Sequence, residues 1–217
     1  MRGYPRNWLT ERPADEVVIT KTTRSRGYTI SYDDAGSGPV IVLVPGGTMS
    51  AGDWLDAGYV DQLAGSHRVI SVDPLGLGQS DKPHDEAAYR LPDVAADVIA
   101  VMDAATVDRA VVWGYSYGGE VAAAVASHHV AFNDPRAIGA MWSGADRSGS
   151  TTDLTRISAP ALVLGGHTGE AEPAPDESAV ALGVDVHLLP NCDHLQAFSR
   201  LDLVMPIVLE FLEAHGL

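Results

Sequence analysis

Ala110-Val-Val-Trp-Gly-Tyr-Ser-Tyr-Gly-Gly119 runs from an apolar segment, through a G-x-S-x-G spacing, straight into the Ala/Val-rich stretch Gly118–His128. The first part has the unbroken apolar character of a strand buried on both faces. The last part suits a helix lying against a sheet. Between them, Gly114 and Gly118 leave out the side chains that would crowd a sharp, strained turn, and such a turn lifts Ser116 above the sheet edge. The amides that open the helix point at the same place, where an anion is favoured. A bare G-x-S-x-G arises by chance. Placed between a buried strand and a helix, it reads as a mounted nucleophile in preference to a glycine-rich turn with an incidental serine.

Working outward, the same strand signature recurs. Val40–Val44, Arg68–Asp73, Ala137–Trp142, Ala161–Leu164 and Val184–Leu189 are short β-branched or aliphatic runs. Leu91–Ala105 carries Pro92 and Asp93 in its first turn and Val94, Val98, Val101 and Met102 on one face, which predicts a helix. Leu201–Ala214 predicts an amphipathic closing helix. Strands alternating with helices imply a three-layer α/β sandwich around a mostly parallel sheet. Val17–Lys21 and Tyr28–Asp33 flank a Thr/Arg/Ser/Gly segment and are expected to form a hairpin or meander, antiparallel at one edge. No repeat, low-complexity tract or domain boundary is visible, so residues 1–217 are read as a single domain.

Composition narrows the function classes. In 217 residues, 46% are hydrophobic and 20% charged, which excludes wholesale disorder. Lys+Arg number 14 against 29 Asp+Glu, a formal charge of −15. That field repels phosphate backbones and anionic lipid, so neither nucleic acid nor a membrane is an expected partner. No apolar run reaches the roughly 18 residues of a membrane helix. The first residues show no secretory h-region, so a cytoplasmic location is the default. Cys192 stands alone, which excludes an internal disulfide; it reads as a buried filler. His128 and His129 are adjacent and face different ways on a helix, and His67, His84, His167, His187 and His215 lack metal-ligand spacing. Pro45-Gly-Gly-Thr48 lacks the Lys of a phosphate loop and the third Gly of a dinucleotide loop. No cofactor and no metal are expected.

Four segments in order resemble the α/β-hydrolase fold superfamily across nearly the whole chain. Besides the Ser116 turn, Val44-Pro-Gly-Gly-Thr48 resembles the oxyanion loop, with Pro45 where the family commonly has His. Val72-Asp-Pro-Leu-Gly-Leu-Gly-Gln-Ser-Asp81 is similar to the structural D-x-x-G-x-G-x-S loop. Leu189-Pro-Asn-Cys-Asp-His194 precedes the last helix, where the family places its catalytic histidine. The resemblance implies that Ser116 attacks an acyl carbon, that His194 takes and returns the proton, and that the Gly47 and Tyr117 amides hold the oxyanion. The implied activity is a serine hydrolase acting on an ester, thioester or lactone of a small molecule. The alternative is a non-hydrolytic use of the fold, as a cyclase, lyase or binding scaffold with a displaced triad.

Two departures from the family bear on that choice. Leu164-Gly-Gly-His-Thr-Gly-Glu170 puts Thr168 or Gly169 in the usual acid position, with Glu170 one or two places late. Trp142-Ser-Gly-Ala-Asp146 offers Asp146 after the preceding strand and is slightly favoured, with Glu170 as the alternative acid. Asp193, next to His194, is expected to point elsewhere. Gly144–Ala159 is too short for a helical cap, which implies an open site that water reaches freely and argues against dehalogenation. An apolar surface where a cap would sit invites self-association. Thr48–Tyr59 is too apolar for a solvent loop: Met49, Trp54, Leu55 and Tyr59 either pack as a helix onto the sheet, which is favoured, or line an acyl pocket. Thr48, Met49, Trp54, Tyr115 and Trp142 are the candidate substrate contacts, with Tyr117 also flanking the nucleophile.

Overall fold

The computed structural model describes residues 18–129, 138–142, 154, 157, 159–169 and 176–217. Among these, eight strands form one sheet in the order β1-β2-β4-β3-β5-β6-β7-β8. The strands are β1 (Ile19–Ser25), β2 (Tyr28–Gly36), β3 (Val40–Val44), β4 (Arg68–Asp73), β5 (Val111–Tyr115), β6 (Ile138–Trp142), β7 (Ala161–His167) and β8 (Val186–Pro190). β1 pairs antiparallel with β2, and β2 with β4; β4, β3, β5, β6, β7 and β8 run parallel. The helices are α1 (Ala51–Asp56), α2 (Tyr59–Leu63), α3 (Leu91–Ala104), α4 (Tyr117–His129), α5 (Glu177–Leu182), α6 (His194–Ser199) and α7 (Leu201–Ala214).

Alternation along β3 explains the layers. Ile41 and Leu43 point into a core shared with Trp54, Tyr59, Trp113 and the α7 residues Val204, Met205, Val208 and Leu212. Val42 and Val44 point the other way, onto Val94, Val98 and Val101 of α3 and Val121 and Val125 of α4. Successive strand residues face opposite sides, so a strand apolar at every position needs helices on both. Each fully buried Val or Leu contributes about 1.5–3 kcal/mol, which is why the parallel strands tolerate so few polar residues. No helix of the described residues is long and apolar enough to cross a membrane.

The N-terminal edge departs from expectation in one respect. β1 extends beyond the expected Lys21 through the Thr/Arg/Ser segment to Ser25, which faces Tyr28 across a two-residue turn. Arg26 and Gly27 both have positive φ, 50° and 90°, the geometry that matches the twist of a tight hairpin. Arg26 then reaches across to the fully buried Asp97 of α3, with contacts of 3.0 and 2.6 Å, and its charge sits over the Tyr28 ring. A buried carboxylate deprived of such a partner costs a protein about 3–5 kcal/mol, so this pair ties the hairpin to the helical layer. Nearby, Asp34 takes both Arg68 at 2.9 and 2.7 Å and Lys21 at 2.7 Å. The Arg68 hydrogen bond, with help from Lys21, holds the Asp34 carboxyl below its ordinary value.

Candidate active site

The turn after β5 carries Ser116 at φ 53°, a left-handed conformation costly for a side chain with a Cβ. Two close approaches hold it there. A Cβ on Gly114 would lie 1.9 Å from the Gly118 carbonyl oxygen, and one on Gly118 would lie 2.1 Å from the Val44 carbonyl oxygen. Both obstacles are backbone, so neither position admits another residue without moving a strand or the helix. The spacing G-x-S-x-G is thus the contact between the head of α4 and the end of β3. Ser116 itself is half-buried.

The loop after β3 meets the same helix head. Gly47 and Thr48 are exposed, and a Cβ on Gly47 would sit 3.8 Å from Tyr117 Cβ. The first amides of α4 have no acceptor within the helix, which leaves the Tyr117 N–H available beside the Gly47 backbone. The loop is secured by Asp73, which accepts hydrogen bonds from the Ala51 and Gln79 amides at 2.7 and 2.8 Å. Gly78 packs so closely that a Cβ there would lie 2.0 Å from the Asp73 carboxyl group. Ser80 donates to the Asp73 carbonyl and accepts from the Ser31 amide at 2.8 Å. This accounts for the D-x-x-G-x-G-x-S pattern as a structural brace.

His194 opens α6. Asp193 caps that helix, its carboxylate accepting from the Gln196 amide at 2.7 Å while Gln196 accepts from the Asp193 amide at 2.9 Å. Asp193 therefore turns to the helix end, as expected. The imidazole lies flat against Tyr115, with centroids 4.9 Å apart and planes 12° from parallel. The Tyr115 hydroxyl donates to the His194 carbonyl at 2.8 Å. His194 Nε2 is buried and has no hydrogen-bond partner among the described residues. Burial holds the imidazole below its ordinary value, against an opposing pull from the Asp193 charge. The ring is thus kept neutral near pH 7, with a basic nitrogen to offer.

Several expected contacts are relocated. Trp54 is fully buried and edge-packed on Tyr59, Trp113 and Phe198 at 5.0–5.3 Å, so it belongs to the core and not to a pocket wall. Burying its rings removes more apolar surface from water than lining a cleft would. Tyr115 is likewise buried, underneath His194. Tyr117 packs its side chain toward the α3 side, where burial raises its phenol. Met49 is half-buried against the core and Thr48 is exposed. Trp142 ends β6 opposite Tyr115; its side chain, Asp146 and Glu170 lie outside the described residues.

Three participants escaped the sequence reading. Phe198, four residues after His194 on α6, packs on Tyr115 at 4.7 Å, and its carbonyl accepts from the Tyr59 hydroxyl at 2.8 Å. Its i,i+4 spacing from His194 was the available signal. Gly166, inside β7, lets the histidine loop approach: a Cβ there would lie 2.6 Å from the Asp193 carbonyl oxygen. A glycine within a strand often marks such an approach. Leu195 is 75% exposed beside His194. β7 also runs three residues past the expected Leu164, so Glu170 stands three residues beyond the strand and not six. Cys192 is buried, its thiol 3.2 Å from the Leu189 carbonyl oxygen. No cluster able to hold a metal occurs among the described residues.

Comparison with known proteins agrees with this fold. The chain is 32% identical over 119 residues to 2-hydroxymuconate semialdehyde hydrolase of Pseudomonas sp., covering 54% of this chain and 41% of that protein. It is 34% identical over 107 residues to epoxide hydrolase B of Mycobacterium tuberculosis, covering 49% and 29% respectively. It thus spans less than half the length of either relative. The crystal structure of E-2-(acetamidomethylene)succinate hydrolase superposes with a TM-score of 0.76 at 14% identity, over 91% of this chain and 100% of that one, a likeness of fold. Residues 39–173, from just before β3 to beyond β7 and well over half of the chain, match the defining pattern of one family, and the protein belongs to it: the alpha/beta hydrolase fold.

Proposed function

We propose that the protein is a serine hydrolase that cleaves a carboxylic ester, thioester or lactone of a small molecule through an acyl-enzyme. The observation that carries this reading is Ser116 held at φ 53° at the head of α4, between two glycines whose neighbours leave no room for a Cβ. Ser116 Oγ adds to the acyl carbon while its proton passes to His194 Nε2. The tetrahedral oxyanion is held by the Gly47 and Tyr117 amides. Collapse breaks the acyl–oxygen or acyl–sulfur bond, and the leaving group takes the proton from His194. Water, deprotonated in turn by His194, then releases the acid and restores Ser116. The hydrolase names of the relatives support this class of chemistry, and the exposed Leu195 supports a substrate with an apolar part.

Exposure to a fluorophosphonate tests the reading by intact mass. Ser116 Oγ attacks phosphorus, fluoride leaves, and the hydroxyl proton goes to His194. One adduct is expected on the wild type and none on Ser116→Ala. A wild type that stays unlabelled would point to a non-hydrolytic use of the fold. Asp146, four residues beyond β6, and Glu170, three beyond β7, are the proposed alternatives for the acid that orients His194. Asp146→Asn and Glu170→Gln should differ, one lowering kcat at least tenfold, about 1.4 kcal/mol of transition-state stabilisation. If both retain wild-type turnover of p-nitrophenyl acetate, neither residue is the acid.

A further inference from the structure

Two phenols grip α6 from below. The Tyr59 hydroxyl donates to the Phe198 carbonyl near the end of the helix, and the Tyr115 hydroxyl donates to the His194 carbonyl at its start, both at 2.8 Å. The two carbonyls are one helical turn apart, so the grips resemble each other chemically and differ in what they hold. Phe198 belongs to the last turn, where a carbonyl has no partner within the helix and needs one from outside. Tyr59 supplies it deep in the core, with its ring 5.1 Å from Trp54 and 5.2 Å from Trp113. That contact is structural.

Tyr115 does more. It precedes Ser116 directly, its ring lies parallel to the imidazole at 4.9 Å, and its ring edge would be 3.2 Å from a Cβ on Gly46 in the oxyanion loop. One side chain therefore touches the histidine and the oxyanion loop, while its backbone continues into the nucleophile. Among the described residues, Asp193 is the one carboxylate whose charge acts on His194, and it is engaged at the helix cap. An imidazole that works as a base needs its plane and tautomer held, and the usual orienting carboxylate supplies only part of that constraint.

We propose that Tyr115 is the positioning residue of His194: the hydroxyl anchors the histidine backbone and the ring fixes the imidazole plane, so that Nε2 meets Ser116 Oγ. This rests on the serine-hydrolase reading. The parallel aromatic face also favours the imidazolium formed when His194 takes the serine proton, because a cation over a ring is attracted to it. Replacing the hydroxyl alone keeps the ring and the packing, so Tyr115→Phe isolates the anchor. Tyr59→Phe removes the same kind of bond from the other end of α6 and reports what a purely structural loss does.

The experiment compares wild type, Tyr115→Phe and Tyr59→Phe in fluorophosphonate labelling rate and in p-nitrophenyl acetate kinetics. Nitrogen-15 spectra of the histidine rings accompany the rates. Tyr115→Phe should label and turn over about tenfold more slowly, with the loss in kcat and KM unchanged. Its His194 ring signals should move from one defined tautomer toward an average of two. Tyr59→Phe should stay within about twofold in rate, with wild-type His194 signals, whatever it loses in thermal stability. If Tyr115→Phe labels like the wild type, or if Tyr59→Phe slows labelling as much, the positioning role is overturned while the hydrolase reading stands. If the wild type itself is not labelled, both fall together.

Discussion

Ser116→Ala, His194→Gln and the double variant are expected to hydrolyse p-nitrophenyl acetate at one common residual rate, about a million-fold below wild type. Equality of the three is the informative part. A serine hydroxyl without a proton acceptor is a poor nucleophile, and an imidazole without the hydroxyl has nothing to activate. Removing either member therefore removes the whole effect, and removing the second adds nothing. On the proposed mechanism, what remains is the residual catalysis of the oxyanion amides, which neither substitution touches. Initial rates measured side by side check this. A His194→Gln variant that kept more than about a hundredth of wild-type activity would mean another group takes the proton.

The same pair sets the pH dependence. Burial lowers the His194 pKa from its ordinary 6.5, and the nearby Asp193 charge offsets only part of that. On the proposed mechanism the neutral imidazole is the base, so activity is present above the folded-state pKa and is lost as pH falls through it. The acid limb of kcat/KM should thus lie below pH 6.5, with activity rising as pH increases through it.

How much of this was legible in the sequence depended on whether the signal was local. Gly114, Ser116 and Gly118 act over five residues, and their spacing is itself the close approach that the structure displays. β4 and α7 were bounded correctly because Arg68–Asp73 and Leu201–Ala214 carry unbroken periodicity. Trp54 was harder to place. Its apolar neighbourhood signals burial but not which aromatic partners receive it, and two of the three come from β5 and α6, far along the chain. The Arg26–Asp97 pair spans 71 positions and leaves no trace in either segment read alone. Tyr115 was recognised as adjacent to the nucleophile, yet its partner, the His194 carbonyl, is 79 residues away. Long-range polar pairs and ring stacking are tertiary facts; periodicity reports only which face is buried.

Gly118→Ala should be among the most damaging single methyls at the described residues. Alanine is ordinarily the best helix former, and at the head of α4 it would normally stabilise. Here its Cβ would lie 2.1 Å from the Val44 carbonyl oxygen, 2.6 Å from that of Pro45 and 2.8 Å from the Val44 carbonyl carbon. None is a flexible side-chain end. Val44 is fixed by its pairing with Gly114 on β5, so the strain cannot be relieved at β3 without disturbing the sheet's centre. Helix α4 must withdraw instead, carrying Ser116 and the Tyr117 amide away from Gly47. A displacement of about 1 Å at a reacting group costs on the order of 100-fold in rate. The expected outcome is a loss above about 4 kcal/mol in denaturant unfolding, with any folded fraction labelled by fluorophosphonate at least about 100-fold more slowly. Gly65→Ala provides the contrast, because a Cβ there meets nothing within 4 Å, and it should change stability by less than about 0.5 kcal/mol. Wild-type stability and labelling in Gly118→Ala would mean that α4 and the oxyanion loop are not locked together, and the role assigned to the glycine would be wrong.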